Sequence, residues 1–260
     1  MASKRPKIKL YWLNESRAQR IVWLLEELGL DYEVVLFYRG ENRFAPPELE
    51  KIHPLGKSPA VGITFPGQEK ETVLVESGFI AQYLGEHFAQ DTNLVPERYR
   101  PGEEGKPGGE TEAWMRYQHL LHYAEGSLMP PLLIALILIV MKGPKIPFII
   151  RPVVSSVADK VYAGFVQPNV KKHLSFVEKQ LESAPNGGPY LCGEHLTIAD
   201  ILLSFPLEVS PARLGGFAGG NEKVLAPYPR LRAYVERLQK EKGCVKAKER
   251  VEQLEAQSKK

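Results

Sequence analysis

The chain has 260 residues, 43% of them hydrophobic and 25% charged. That balance excludes a disordered chain and leaves apolar material for one large or two modest cores. The formal net charge is only +3, below the basicity that marks a nucleic-acid binder by itself. The two cysteines, Cys192 and Cys244, lie far apart and form no CxxC. This argues against a disulfide scaffold, a dithiol redox site and a zinc–cysteine site. The basic start, residues 1–7, has no apolar run behind it, so no signal peptide is expected.

Residues 7–12 alternate apolar and polar and predict a strand. A short loop, 13–16, leads into a helix from Arg17. Its apolar positions are Ala18, Ile21, Val22, Leu25 and Leu28, and Gly29 supplies the stop. Residues 32–38, with Val34, Val35 and Phe37, predict a second strand. Residues 39–57 read as loop with a short helix, punctuated by Pro46, Pro47 and Pro54. Two short strands near 59–64 and 71–76 flank the turn sequence 65–68 and should pair as an antiparallel hairpin. A helix from Ser77 to Phe88 closes the set. The order β-α-β-α-β-β-α predicts a mixed four-stranded sheet flanked by helices over residues 1–90.

Residues 91–110, rich in Gly, Pro and charge, read as a linker or exposed loop. Beyond them the periodicity is helical over 111–128, 154–183, 198–210 and 228–256, so 111–260 is expected to be an all-helical bundle domain. Thr197 and Asp200 make a capping box at one helix start. The glycine-rich run 215–220 reads as a flexible loop, since no strand precedes it to make a dinucleotide fingerprint.

Three places can carry chemistry. Ser16 opens a helix with Gln19 three residues on, which is a capping box. The same hydroxyl, at a helix N-terminus, can donate to an anion held there, and Asn14 could play either part. The segment 52–61 contains Gly56-Lys57-Ser58, but Lys51 stands where a P-loop needs glycine and Pro59 where a helix should begin. It reads as a turn into the hairpin, or as a cis Pro59 that frees the Ser58 backbone for a peptide-like ligand. Glu76-Ser77 joins a strand to a helix. Ser77 alone is an N-cap; the pair can hold an ammonium on Glu76 and a carboxylate at the helix end.

In this order and spacing, Ser16-x-x-x-Arg20, Pro54-x-Gly-Lys-Ser-Pro59, Glu76-Ser77 and Thr197-Ile-Ala-Asp200 resemble the glutathione transferase family over nearly the whole chain. The first helix, Ser16-Arg17-Ala18-x-Arg20, is most similar to fungal and bacterial members. The resemblance implies a thioredoxin-like domain to about residue 90, followed by the helical domain. It implies glutathione as co-substrate with no other cofactor and no metal. Glu76 and Ser77 would hold the γ-glutamyl head, and the Ser58 backbone, beside a cis Pro59, the cysteinyl unit. Lys57 would lie near the glycine end, and Ser16, ahead of Asn14, would donate to the sulfur. It further implies conjugation to apolar electrophiles or reduction of hydroperoxides, a cytoplasmic homodimer, and no nucleic-acid partner. A non-catalytic glutathione- or protein-binding module on the same fold is the alternative.

Residues 128–141 carry no charge. The run is shorter than the roughly 20 residues that cross a bilayer, and Pro130 and Pro131 are expected to break or restart the helix at its head. It reads as a buried helix, as lining of an apolar pocket, or as a peripheral contact with an internal membrane. His119 and His122 sit three apart without a third ligand nearby, so a metal site is not expected.

Overall fold

The computed structural model describes residues 5–144 and 146–258; residues 1–4 of the basic start and Lys145 lie outside them. The chain divides into two compact units, one of Met1–Val95 with Gln239–Lys260, the other of Pro96–Leu238.

The first unit runs β1 (Lys7–Leu13), α1 (Ala18–Glu27), β2 (Tyr32–Phe37), a 3-10 turn (Pro47–Lys51), β3 (Ala60–Thr64), β4 (Thr72–Val75) and α2 (Ser77–Phe88). The sheet order is β2-β1-β3-β4. β1 and β2 are parallel, which requires the α1 crossover, and β3 is antiparallel to both its neighbours. This is the expected thioredoxin-like arrangement, with a 3-10 turn where a short helix was expected. Tyr11 and Leu13 pack with Leu49, Ala60 and Phe37. Ile21, Val22, Leu24 and Leu25 of α1 are wholly buried. α1 stops at Gly29, whose φ of +59° only glycine adopts readily, and the Leu30 N–H returns to the Leu25 carbonyl at 3.1 Å.

The sequence assigned 239–260 to the helical domain. Here α10 (Lys242–Ser258) belongs to the first unit and packs on α1. Arg250 sits over the Tyr32 ring at 4.1 Å, donates to the Tyr32 carbonyl at 2.8 Å and lies 3.5 Å from Glu26. A side chain at Gly243 would run into Glu27. The single helix expected over 228–256 is therefore two, interrupted at 239–241, because its halves serve different cores.

The second unit is helical: α3 (Glu112–Tyr123), α4 (Met129–Met141), α5 (Arg151–Val161), α6 (Gln167–Glu182), α7 (Ile198–Ala218), α8 (Asn221–Leu225) and α9 (Pro229–Leu238). Pro130 and Pro131 do not break the helix, which runs unbroken over Glu112–Met141. A π turn over Ala124–Leu128 absorbs them, with the Met129 N–H reaching back five residues to Ala124. The same device precedes Pro168, where the Gln167 N–H reaches Tyr162. A widened turn moves the carbonyl that a proline ring would strike.

The expected capping box is present. The Thr197 N–H and hydroxyl donate to Asp200 at 2.8 and 2.6 Å. Asp200 is fully buried and also accepts from the Leu191 N–H at 3.1 Å and the Tyr234 hydroxyl at 2.6 Å. Burial raises its pKa and these four bonds oppose the rise. The run 215–220 is not a loop: α7 continues to Ala218, and Gly219, at φ +80°, caps it. Between the sheet and α3, Arg100 folds back to the Glu110 and Gly108 carbonyls, both at 2.7 Å, and Tyr99 bridges Glu110.

Candidate active site

The sheet register brings the three chemistry-bearing segments to one end of the first unit. Tyr11 on β1 pairs with Ala60 on β3, and Ala60 pairs with Val75 on β4. The loop 14–17 follows Leu13, Ser58 and Pro59 immediately precede Ala60, and Glu76 and Ser77 immediately follow Val75. Neighbouring strands are about 4.8 Å apart, so β1 and β4 are separated by about 10 Å here. An extended tripeptide spans about the same, at roughly 3.3–3.6 Å per residue.

Ser16 is half-buried just ahead of α1. It does not form the expected capping box, because Arg17 holds the cap position without a side-chain bond. Ser16 Oγ instead accepts from the Ala18 N–H at 3.1 Å, two residues on. Accepting through a lone pair leaves its hydrogen available to a ligand at the helix end. Asn14 is engaged elsewhere: its Oδ1 accepts from the Arg39 N–H at 2.7 Å, and its carbonyl from Arg39 Nε at 3.2 Å. Arg43 reaches Glu15 at 3.3 Å. The stretch after β2 thus fixes the loop carrying Ser16. The sequence reading missed Arg39, because its partner lies 25 residues away and no local pattern marks it.

The Ser58–Pro59 peptide bond is cis. Ser58 Oγ donates to the Tyr11 carbonyl at 2.8 Å. Pro59 is buried and Lys57 exposed. Glu76, not Ser77, holds the cap position of α2, again without a side-chain bond. Its φ is +69° and ψ +116°, a conformation that a residue with a side chain adopts at a cost. Glu76 is exposed and Ser77 is 5% exposed.

Tyr11 serves another purpose. Its hydroxyl donates to Glu71 at 2.9 Å. Burial, then the hydrogen bond and charge of Glu71 and the charge of Glu33, push its pKa up to about 12. A tyrosine raised in this way is a poor acid. Trp12 Nε1 is buried with no hydrogen-bond partner among the described residues.

The second unit holds a small surface cavity of about 90 Å³, lined among others by Tyr162, Val170, Leu174, Leu214 and Tyr228. None of its lining comes from 128–141. His119 packs against the rings of Tyr123 and Phe176, and no cluster of three metal-ligating side chains occurs among the described residues.

Residues 6–86 match the family model described as the N-terminal domain of glutathione S-transferase, and residues 151–247 a model of its C-terminal domain. The chain is 38% identical to glutathione S-transferase 1 of Saccharomyces cerevisiae over 96% of its own length and 97% of that protein. A crystal structure of a glutathione S-transferase from Actinobacillus pleuropneumoniae superposes with a TM-score of 0.66 at 31% identity, covering 94% of this chain and 92% of that one. A glutathione transferase homologue from Lodderomyces elongisporus, solved with two glutathione molecules per subunit, shares the fold at a TM-score of 0.67 and 22% identity, over 93% and 97% of the two chains. Similarity that runs nearly end to end, through both units, makes the chain a member of the glutathione S-transferase family.

Proposed function

We propose that this family member binds glutathione across the end of its sheet and transfers the thiolate to apolar electrophiles. The observation that carries the reading is the row Tyr11–Ala60–Val75, which aligns the start of α1, the cis Ser58–Pro59 turn and Glu76-Ser77 within a tripeptide's reach. Glu76 pairs with the α-ammonium of the γ-glutamyl residue, and the N-terminus of α2 at Ser77 receives its carboxylate. The Ser58 backbone meets the cysteinyl unit, and Lys57 offers its cation to the glycine carboxylate.

Ser16 acts on the sulfur. A free thiol with a pKa of about 8.5 is only about 3% ionised at neutral pH. Lowering that pKa by about two units takes about 2.7 kcal/mol of selective stabilisation. One hydrogen bond to the charged sulfur supplies about 1.5–3 kcal/mol, and the positive end of α1 about 0.3–1. One hydroxyl and one helix end therefore suffice. The thiolate forms an S–C bond as the leaving group departs with its electron pair. The same thiolate can cleave the O–O bond of an organic hydroperoxide. That step releases an alcohol and gives a glutathione sulfenic acid, which a second glutathione converts to disulfide and water.

Calorimetric titration with glutathione tests the binding half of this reading. Micromolar-to-millimolar binding that weakens about tenfold or more in Glu76→Gln is expected, the loss of one charge-assisted pair. Equal affinity in the two proteins would overturn the assignment of Glu76.

A further inference from the structure

Outside the sheet end, the largest feature unexplained by the chemistry is an apolar surface on α4, α5 and the turn between them. Phe148 and Ile149 are 77% and 74% exposed, and Val153 66%. On α4 the exposed residues Leu133, Ile137 and Val140 recur at helical spacing; on α5, Val153, Val157 and Val161 do the same. α4 therefore turns one apolar stripe, Leu132, Ala135 and Leu138, to the core and a second to the outside, while α5 buries Ala158 and exposes its valines. Contiguous exposed apolar surface on this scale marks an interaction site.

Part of the turn's backbone is already hydrogen-bonded within the protein. Arg151 donates to the Ile146 carbonyl at 2.8 Å and to the Pro144 carbonyl at 3.1 Å. The Gly143 carbonyl accepts from the Ile146 N–H, and the Pro147 carbonyl from the Ile150 and Arg151 N–H groups. These polar groups are paired before any partner arrives, so dehydrating them carries little penalty.

Apart from the Asp159–Lys142 pair, the charge that the sequence supplies along this stretch is basic. Residues 126–158 contain no Asp or Glu but hold Lys142, Lys145 and Arg151. The first acid beyond them, Asp159, is paired with Lys142 at 2.7 Å. A second copy docking here about a twofold axis would set like cations against each other, with the nearest carboxylate, Asp159, already engaged by Lys142. An anionic lipid surface offers apolar depth and complementary charge together.

Spanning is a different matter. The helix Glu112–Met141 is long and apolar enough to cross a membrane by length and composition. Its first turns, however, carry Tyr117, Leu120 and Leu121 in the protein core, and α4 alone is about 20 Å long against a hydrocarbon core of about 30 Å.

We infer that the turn 146–150 and the adjoining ends of α4 and α5 dock the protein peripherally on membranes bearing anionic lipid. The inference does not depend on the proposed glutathione chemistry. The test is co-sedimentation of the full chain with vesicles of phosphatidylcholine alone or with an admixture of phosphatidylserine. Variants are the double change Phe148→Ser with Ile149→Ser, and the conservative Phe148→Leu; circular dichroism and size-exclusion elution are recorded for each. The expected result is binding to the phosphatidylserine vesicles that weakens with salt. It should fall about tenfold or more in the double variant and persist in Phe148→Leu, with unchanged helical content. Failure of the wild-type chain to sediment with either vesicle would overturn the inference. So would sedimentation that the double variant retains, or a dimer that only the double variant dissolves, which would assign the surface to a second copy.

Discussion

The Ser58 hydroxyl donates to the Tyr11 carbonyl at 2.8 Å, tying the turn before β3 to β1 at the level where the two strands begin to part. Tyr11 and Ala60 are ladder partners, so this bond adds a side-chain rung just beyond the ladder. It holds the cis Ser58–Pro59 bond beside the loop carrying Ser16. The segments carrying Ser16, Ser58 and Glu76-Ser77 are thus fixed to one sheet end.

Ser16→Ala should lower the conjugation rate about tenfold or more while leaving the KM for glutathione nearly unchanged, since one hydrogen bond to a charged sulfur is worth about 1.5–3 kcal/mol. Steady-state kinetics with an aryl halide acceptor reads both parameters. An unchanged kcat would move the role to Asn14 or to a backbone donor.

Asn14 is expected to matter more for stability than for rate. Its Oδ1 holds the Arg39 N–H at 2.7 Å. Removing it in Asn14→Ala should cost about 1 kcal/mol, read as a lower urea midpoint with an unchanged slope. A rate loss larger than that of Ser16→Ala would reverse the ranking of the two residues.

Glu76 combines exposure with a φ of +69°. Glu76→Gly should stabilise the fold by about 1 kcal/mol by relieving the backbone and at the same time weaken glutathione binding. Thermal melting and calorimetric titration read the two effects separately. A destabilised Glu76→Gly variant would mean that the conformation carries no strain.

The Tyr11–Glu71 bond predicts alkaline behaviour. The folded-state pKa of Tyr11, about 12, lies above the unfolded value of about 10. Its contribution to stability is therefore complete below about pH 10 and is lost as the pH rises through 12. Tyrosinate absorbance should show, among the several tyrosines that burial raises, a late-titrating group that Tyr11→Phe removes and Glu71→Gln shifts downward. A stability profile over pH 10–12 identical in Tyr11→Phe and wild type would contradict this.

Much of the first unit was legible in the sequence because its signals are local. The alternation in 7–12, the turn at 65–68 and Gly29 each state their conformation within a few residues, as does the Thr197/Asp200 box of the second unit, and each is found. What was misread depends on distant partners. The helix 242–258 joined the first unit because Arg250 finds Glu26 and Tyr32 more than 200 residues away. Pro130 failed to break its helix because a π turn, which hydropathy patterns do not signal, precedes it. Gly215 and Gly216 stayed helical because Gly219, not Gly215, takes the left-handed conformation. At the site, Ser16 and Ser77 were placed at the correct junctions. Their capping roles were not, since cap position turns on a single residue's backbone angles.

The most direct test of the central claim is a pH titration of glutathione bound to the protein, followed by thiolate absorbance. A bound thiol ionising about two units below the free value of about 8.5, with the shift reduced in Ser16→Ala, is the result expected of a working transferase. Bound glutathione that ionises at its free value would contradict the account and leave a binding module on the same fold.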